Sequence, residues 1–468
     1  MKRALLVFKT ALSLLICLIF TAGASGINNV NKFVYAALYT KPAGPEVSVP
    51  EQADTNEQPA EGAEETVSTV ASAPQSGAAE STPAKAPPAQ PEPEPAKAVQ
   101  SPEKRAVWIS FLEYQKILNG KTEKQFKSSI CKYFDSCAEY GLNTVIVQAR
   151  SHSDAYYKSA YFPASLWFTE KRKNTFPFDP LKIMVDEAHK RGLKIEAWVN
   201  PYRGNKISEE FAENDIIKAW LDTDKVFACG EYYYLNPGEP EVMDYVVNGI
   251  TEIVENYDID GIHFDDYFYP TQDSDFDDTE YADYVETVGE MNCMSIDNWR
   301  LANVNTLICD TYRAIHKISD DVEFGISPQG NIDNNAQIYA DVKTWCICKG
   351  FVDYICPQLY YSLDNPALTF EDSLTAWSEL DINKSVKLYV GLAGYKANSD
   401  ADEGTWLYSN NILADEYKTA VNNEKVSGIM LYSYSALKDE NASTEIANLT
   451  KAMSNNLDAE NQTTVPIQ

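Results

Sequence analysis

Two adjacent carboxylates, Asp265 and Asp266, are the residues of this sequence best suited to carry out chemistry. They lie in the run Asp260–Pro270, which begins like a short buried β-strand and ends in carboxylates and aromatic rings. Two carboxyl groups in a partly dry cleft repel each other, so their proton affinities can separate into those of an acid and a base. Carboxylates beside aromatic rings indicate chemistry on a sugar. The alternative is a structural ion pair with Arg150 or Arg203.

Three further carboxylates are candidates for the same chemistry. Glu113 follows the first apolar run of the chain and Asp154 follows the second, so both are expected near the mouth of the fold. Glu196 lies within the third run, at a lower level, and would serve equally well as the buried partner of an arginine. The sequence does not show which carboxylate is the proton donor.

Amide, ring and guanidinium groups follow several of the same apolar runs. Asn200-Pro-Tyr-Arg203 combines groups suited to hydroxyl recognition, stacking and the binding of a carboxylate or phosphate. Similar groups occur at 148–150, 327–329 and 357–361. Each motif is weak evidence by itself, but motifs at equivalent places in one fold would together indicate a binding site.

Short apolar runs alternate with longer helical patterns from Arg105 onward. The runs, which we predict to be strands, are 105–112, 144–150, 194–201, 261–268, 323–330, 354–361, 387–395 and 428–435. The predicted helices include 122–140, 180–191, 240–256, 296–318, 370–380 and 410–423. Eight strand–helix units over about 350 residues predict an α/β fold, a (β/α)8 TIM barrel. An open doubly wound sheet is the alternative, but it usually has a glycine-rich nucleotide loop, and none is visible here.

Alternation along these strands predicts which side chains line the barrel lumen. Apolar residues at every second position are expected to face the helices, which turns the intervening residues inward. The predicted inward-facing residues are Gln148, Arg150, Glu196, Trp198, Asn200, His263, Asp265, Gln358 and Tyr360. Barrel active sites form at the C-terminal ends of the strands, so we expect these side chains to converge at that mouth.

Neither a metal ion nor a cofactor is predicted. Of four histidines only His263 has a strand position, and His263-x-Asp265 is an incomplete metal site. The acidic loop Asp273–Asp278 begins like a calcium loop, but it lacks the glycine at the sixth position and has Tyr284 where a bidentate glutamate belongs. We interpret it as a solvated loop.

Charge and cysteine content limit the possible partners. The formal net charge of −30 argues against nucleic acid or an anionic membrane surface. Eight cysteines follow residue 24, an even number that would permit disulfides outside the cell. Their pairing is open, and buried free thiols are the favoured interpretation for a chain of this size. The oligomeric state is also open.

The N-terminal quarter of the chain differs in composition from the rest. Residues 1–24 resemble a secretory signal, with a basic start, an apolar run and an A-x-A cleavage site at 22–24. An uncleaved anchor, which would be the chain's contact with a membrane, is the alternative. Residues 25–103 are predicted to be a disordered linker, 104–455 the barrel and 456–468 a C-terminal tail. We therefore expect a secreted or cell-surface protein.

Six motifs resemble those of the glycosyl hydrolase-like 10 family in order and spacing, across roughly residues 104–440. They are Arg105–Ser110, 148–150 with 153–155, Ala197–Arg203, Asp260–Pro270, Gly325–Pro328 and Asp353–Gln358. The resemblance implies a (β/α)8 barrel, export or lipid anchoring, and glycoside hydrolysis, in some members of cell-wall strands stripped of peptides. It also implies an active-site set, which is Gln148, Arg150, Asn200, Tyr202, Arg203, His263, Asp265, Asp266, Gln358 and Tyr360.

The sequence departs from the family pattern at two positions. Ser151 stands where many members have proline, so Ser151 and His152 are expected to reshape the substrate pocket. Glu196 stands where many members have histidine, which weakens its claim to be a shared catalytic group.

These inferences together predict an exported hydrolase of a β-linked cell-wall glycan. Asp265 would be the nucleophile or would orient a substrate acetamido group, with Asp266 as companion carboxylate and Glu113 as reserve proton donor. A carboxylate separation of about 5 Å would favour retention and about 6.5–9.5 Å inversion. A non-catalytic glycan-binding barrel and a hydrolase of another extracellular polysaccharide are the alternatives. The predicted substrate-binding residues are Trp108, Gln148, Arg150, Asp154, Glu196, Trp198, Asn200, Tyr202, Arg203, His263, Tyr267, Gln358 and Tyr360.

Overall fold

Parallel strands close into an eight-stranded barrel in the computed structural model, which describes residues 103–169, 175–213 and 215–463, without the side chains of 274 and 457–463. The barrel strands are β1 (Lys104–Ile109), β2 (Thr144–Arg150), β3 (Lys194–Val199), β7 (Gly261–Phe264), β8 (Glu323–Ile326), β9 (Tyr354–Ile355), β10 (Lys387–Leu392) and β11 (Val426–Leu431). They neighbour one another in that order, and β11 pairs with β1. The predicted TIM barrel is confirmed.

Helices follow the strands around the outside of the barrel. They are α1 (Phe111–Leu118), α2 (Glu123–Glu139), α3 (Leu166–Thr169), α4 (Pro180–His189), α5 (Ile216–Trp220), α6 (Pro240–Asn256), α7 (Asp278–Val288), α8 (Ile296–Ile318), α9 (Val342–Ile347), α10 (Phe370–Ser378), α11 (Ile412–Val421) and α12 (Ser443–Thr463). The predicted signal at 1–24 and the predicted linker up to residue 102 lie outside the described residues. The predicted tail at 456–468 begins within α12, and 464–468 are again outside them.

Capping side chains explain why the helix starts could be located in the sequence. Thr122 accepts a hydrogen bond from the backbone N–H of Gln125 at the start of α2, and Thr369 does the same for Asp372 in α10. Asp179 caps α4 and is followed by Pro180 at the first helical position, where the missing N–H has no cost. These local signals fix the beginning of a helix before any tertiary contact forms.

Several barrel strands are shorter than predicted, because the chain leaves the ladder early to form the mouth. The run predicted at 261–268 pairs only as Gly261–Phe264, and the run at 354–361 only as Tyr354–Ile355. Residues beyond these points keep the apolar and aromatic composition of a strand but pack as loops. Composition therefore predicted correctly where the strands lie but overestimated the length of several of them.

An antiparallel sheet that the sequence pattern did not predict lies between β3 and α6. It consists of β4 (Arg203–Lys206), β5 (Val226–Cys229) and β6 (Tyr232–Leu235), with β6 in the middle. Its first residue, Arg203, closely follows β3, so this sheet starts at the barrel mouth. The insertion thereby brings Tyr232 and Tyr234 close to the site described below.

Two apolar layers account for the predicted alternation. The layer between strands and helices includes Val147, Ala197, Ile262 and Phe264, as expected. A separate cluster fills the lumen, and its members are Ala106, Trp108, Ile146, Trp198, Tyr354, Cys356, Tyr389 and Met430. The lumen is thus a packed core beneath the mouth rather than a channel.

Cysteine state and helix hydropathy complete the description. The eight cysteines after residue 24 all lie in the described segments and are free thiols, three of them buried and five partly exposed. Within the same segments no helix combines the length and the apolar character that crossing a bilayer requires.

Candidate active site

Asp265 is held at the C-terminal mouth by N–H groups from two segments. Trp198 Nε1 donates to its Oδ2 at 3.0 Å, and Asn200 Nδ2 donates to the same oxygen at 2.5 Å. The backbone N–H of Tyr267 lies 3.4 Å from Oδ1. Trp198 pairs with His263 in the β3–β7 ladder, so alternation along both strands turns Trp198 and Asp265 into the lumen. The predicted inward orientation of Trp198, Asn200 and Asp265 is confirmed.

Asp266 lies where β7 has already given way to its loop. Gln358 Nε2 donates to Asp266 Oδ1 at 3.2 Å and to the backbone oxygen of Ser327 at 2.9 Å. One amide therefore joins segments that follow β7, β8 and β9. Asp266 is held by the long amide side chains of Gln358 and Gln329, whereas Asp265 is held by Trp198 and Asn200.

The two carboxyl groups are electrostatically coupled. Burial raises the pKa of Asp265 to about 7, with the charge of Asp266 as the second cause and Arg203 and the N–H donors opposing the rise. Burial also raises the pKa of Asp266, against the amides of Gln358 and Gln329 and the charge of Arg203. Because the pKa of each carboxyl is raised and the ionised form of one disfavours ionisation of the other, the pair suits one acid and one base at the same place.

Arg203 supplies the positive charge beside this pair. Its Nε donates to the backbone oxygen of Ser151 at 2.9 Å, and its guanidinium carbon lies 4.9 Å from the centroid of the Tyr267 ring. Nη2 reaches Oδ1 of Asn200 at 3.3 Å. Tyr267 is 48% exposed, so ring and guanidinium form one wall of the mouth.

An amide relay fixes the orientation of Asn200. Gln148 Nε2 donates to Asn200 Oδ1 at 2.6 Å, and Gln148 Oε1 accepts from the backbone N–H of Phe111 at 3.2 Å. Because Asn200 Oδ1 accepts a hydrogen bond, its Nδ2 is left to face Asp265. The start of α1 thereby orients a donor that binds the carboxylate.

His263 lies one layer below the mouth and supports it from beneath. Trp108 Nε1 donates to His263 Nε2 at 3.1 Å, and His263 Nδ1 lies 2.8 Å from the Tyr354 hydroxyl. Burial and the nearby charge of Lys104 lower the His263 pKa to about 3, so the ring is neutral. Nε2 must accept from Trp108, and so Nδ1 carries the proton towards Tyr354.

Glu196 belongs to an ion-pair network at the opposite end of the lumen. It is 1% exposed, accepts a hydrogen bond from the Tyr354 hydroxyl and pairs with Lys104 Nζ at 2.6 Å. Lys104 also pairs with Glu323 at 2.8 Å, and Lys387 pairs with Glu323 at 2.6 Å. Glu196 is thus the buried partner of a lysine rather than of an arginine, and its role in substrate binding stays a prediction.

The predicted inward orientation of Arg150 is wrong because β2 has an irregular register. Between Gln148 and Arg150 the pairing with β3 shifts, so Arg150 lies opposite Val199 on the helix-facing side. Its guanidinium carbon is 4.1 Å from the centroid of the Phe162 ring. It packs so closely on α6 that a Cβ at Gly249 would lie 2.5 Å from Nη1. One extra residue in a strand reverses the facing of those that follow.

Glu113 is committed to backbone and hydroxyl donors. As the third residue of α1 it accepts from the N–H of Ser110 at 2.6 Å through Oε2, completing a capping box. Oε1 accepts from Ser433 Oγ at 2.5 Å and from the N–H of Ser435 at 2.6 Å. These contacts give Glu113 a structural role at the start of α1, and its use as reserve proton donor stays a prediction. The motif Ser110-Phe-Leu-Glu113 is itself a capping-box signature, so the sequence contained the signal.

Two other predicted binding residues, Tyr202 and Asp154, are buried side chains. Tyr202 is fully buried in the layer between strands and helices, and burial raises the pKa of its hydroxyl. Asp154 is 1% exposed, and its charge is among the causes, after burial and Tyr156, that raise the pKa of Tyr114 in α1. Asn200 and Asp265 are buried to a similar degree, and substrate contact by Tyr202 or Asp154 stays a prediction.

Three tyrosines at the mouth, of which the sequence prediction included only Tyr360, form a group. Tyr360, Tyr395 and Tyr432 lie with ring centroids 5.8–5.9 Å apart, and Tyr395 is 50% exposed. Tyr395 and Tyr432 follow β10 and β11, at places equivalent to those examined on the other strands. The strand-end criterion would have found both residues if it had been applied to all eight strands.

Comparison with known proteins identifies the family. Residues 103–407 match the family model described as Glycosyl hydrolase-like 10. The chain belongs to this family. No group of three or more histidine, cysteine, aspartate or glutamate residues suited to a metal ion occurs in the described part of the chain.

Relatives in the glycosyl hydrolase-like 10 family include two curated bacterial proteins. Glycosyl hydrolase YngK of Bacillus subtilis (strain 168) is 36% identical over 337 residues, which cover 66% of this chain and 64% of that protein. Glycosyl hydrolase DigH of Escherichia coli (strain K12) is 29% identical over 327 residues, 64% of this chain and 73% of that protein. The match thus spans less than two thirds of the Bacillus relative.

A solved structure has the same fold. The PgaB (BpsB) glycoside hydrolase domain from Bordetella bronchiseptica aligns with a TM-score of 0.50 and 12% identity, covering 75% of this chain and 99% of that domain. At this identity the likeness concerns the barrel and not the reaction.

Proposed function

We propose that this protein is an exported glycoside hydrolase that cleaves a cell-wall glycan, with peptide-free peptidoglycan strands as its substrate. The observation that carries the proposal is the Asp265–Asp266 pair at the barrel mouth, where donors from the neighbouring strand ends hold two carboxyl groups whose pKa values are raised, which suits one acid and one base. Family membership supports the reaction type. The aromatic rings and the guanidinium around the pair suit a sugar polymer that carries carboxylates.

The anchors of the two carboxylates support distinct roles. Trp198 and Asn200 donate to Oδ2 of Asp265 and so favour its ionised form, the form that attacks the anomeric carbon or orients a substrate acetamido group that attacks in its place. Asp266, which the amides of Gln358 and Gln329 hold, gives its proton to the glycosidic oxygen as the C–O bond breaks. Water then opens the intermediate and returns a proton to Asp266. Both routes predict retention of the anomeric configuration.

Substitution of each carboxylate tests these roles. Asp265→Asn should reduce reducing-end release from peptide-free glycan strands at least about a thousandfold. Asp266→Asn should lose about a hundredfold or more on the glycan, yet less than about tenfold on an aryl glycoside whose leaving group needs no proton. Asp258→Asn is the matched control, because that side chain is 95% exposed and precedes β7 at the opposite end of the strand.

Two other outcomes would replace the proposal. Tight binding of glycan strands without turnover by the unaltered protein would identify a glycan-binding barrel instead. Turnover of a capsular or exopolysaccharide, with none of peptidoglycan strands, would keep the reaction and change the substrate. An anomeric product assay on the active substrate would contradict the assigned roles if it showed inversion.

A further inference from the structure

The three mouth tyrosines form an angled aromatic corner. The rings of Tyr360 and Tyr432 are inclined by only 31° to each other, while Tyr395 stands at 84° and 90° to them. Two rings thus make a floor and the third makes a wall. A pyranose has an apolar C–H face and a polar edge, so a corner of this kind can stack the face and contact the edge.

Backbone contacts hold the corner rigidly. The N–H of Tyr395 donates to the backbone oxygen of Tyr432 at 3.2 Å, and Lys396 Nζ donates to the backbone oxygen of Tyr360 at 2.8 Å. Lys396 is itself paired with Asp402 at 2.7 Å. A preorganised surface loses little conformational entropy when it binds a ligand. Half of the Tyr395 side chain nevertheless remains open to solvent, although it packs on two rings.

The corner is continuous with the carboxylate pair. Tyr432 lies 6.0 Å from the centroid of Trp108, whose Nε1 binds His263 beneath Asp265. The charge of Asp265 acts on the Tyr432 hydroxyl and that of Asp266 on the Tyr360 hydroxyl, in each case as a minor cause beside burial. A polymer bound at the pair would therefore extend over the tyrosines.

The opposite side of the mouth has a different character. In the order of strands around the barrel, the tyrosines follow β9, β10 and β11, whereas Arg203 follows β3, four strands away from β10. Arg203 with Tyr267 offers a positive charge, and the corner offers phenol rings. The two sides thus suit different sugars of a glycan in which uncharged and acidic residues alternate.

We propose that Tyr360, Tyr395 and Tyr432 form a separate glycan subsite, which stacks an uncharged pyranose next to the sugar held at Asp265 and Asp266. The polymer that we expect at this subsite is taken from the proposed function. It adds a position that only oligosaccharides long enough to cross the mouth can fill. Tyr395 should contribute most, because it is the exposed wall of the corner.

A chain-length series with full-length protein tests the subsite. Tyr395→Ala should raise KM about tenfold for long peptide-free glycan oligosaccharides, with kcat nearly unchanged. The shortest oligosaccharide that is cleaved should show less than a twofold change in kcat/KM, because it does not reach the corner. Tyr395→Phe should behave like the unaltered protein, since stacking needs the ring and not the hydroxyl.

Tyr161→Ala is the matched control, because that tyrosine is 41% exposed and its backbone oxygen accepts from Tyr245 in α6 at the barrel's outer face. It should change neither KM nor its length dependence. Equal loss on short and long substrates in Tyr395→Ala, or no loss at all, would overturn the subsite and leave the hydrolase proposal standing. If neither the unaltered protein nor the variant cleaves the glycan, calorimetric binding of the same oligosaccharides tests the subsite instead. Length-dependent weakening in Tyr395→Ala would then support the subsite although the hydrolase proposal had failed.

Discussion

Asp265 illustrates how a residue's neighbours determine its chemistry. A carboxyl buried in an apolar lumen would simply stay protonated, and a carboxyl bound only by donors would stay ionised. Here burial and Asp266 raise its pKa, while Arg203, Asn200 and the Tyr267 N–H lower it, so the balance lies at about 7. The group can therefore change protonation state within the range where proteins work.

Removing the charge of Arg203 should shift the titration of this pair. The guanidinium lowers the pKa of both carboxyls, so Arg203→Gln should raise both. We expect the pH dependence of kcat/KM on glycan strands to move upward by about one unit. Arg203→Lys, which keeps the charge, is the control and should move the profile much less. An unchanged profile in Arg203→Gln would show that the guanidinium does not act on the catalytic titration.

At the scale of elements, a hydrogen bond between a histidine and an aspartate occurs twice at the N-terminal end of the barrel. His189, the last residue of α4, bonds Asp260 at 3.0 Å, and Asp260 accepts from the N–H of Ile195 in β3 at 2.8 Å. His316 near the end of α8 bonds Asp353 at 3.0 Å, and Asp353 accepts from the N–H of Phe324 in β8 at 2.7 Å. Asp260 thus connects the start of β7 to the end of α4 and to β3, and Asp353 connects the start of β9 to the end of α8 and to β8. We call each of these histidine–aspartate arrangements a clamp.

The clamp at His316 should make stability depend on pH. Its hydrogen bond to Asp353, opposed by burial and aided by the charges of Asp353 and Asp320, raises the His316 pKa above 6.5. Because the pKa of His316 is higher in the folded state than in the unfolded state, the protonated ring stabilises the fold, and this contribution is complete below pH 6.5. It is lost as the pH rises through the pKa of the folded state. His316→Gln should therefore cost about 1 kcal/mol more at pH 6 than at pH 9 in urea unfolding.

Lys317→Gln is the control for this experiment, because it removes an exposed cation from the adjacent position of α8. It should cost little at either pH. A cost of His316→Gln that is the same at pH 6 and pH 9 would mean that the clamp acts through the neutral ring alone.

At the scale of the whole molecule, the barrel closes where β11 meets β1. Lys104 pairs with Gly428, which has φ +145, and a Cβ there would lie 2.1 Å from the Lys104 backbone oxygen. Lys104 also carries the ion pairs at the lumen floor, so one residue takes part in both closure and the interior network. The ordered barrel begins there, almost immediately after the predicted linker.

Export of the whole chain is a proposal that cell fractionation can test. If residues 1–24 are a cleaved signal, the mature protein should be extracytoplasmic and start at Ser25. Ala24→Tyr should block cleavage and leave the protein attached to the membrane, because the cleavage site requires a small residue. Full-length protein in the cytoplasm would contradict export, and a membrane-bound full-length protein would identify an uncleaved anchor.

Local sequence pattern was sufficient to predict the repeating architecture and the inward side of β3 and β7. Periodicity and capping residues act between near neighbours, so the helices and strands, and the inward orientation of Trp198, Asn200 and Asp265, follow from local pattern. Tertiary structure alone decided the rest. The register shift before Arg150, the lysine partner of Glu196 and the tyrosine corner depend on segments far apart in sequence. No local period encodes such contacts, which explains why Arg150 and Glu196 were assigned to the mouth and lie elsewhere.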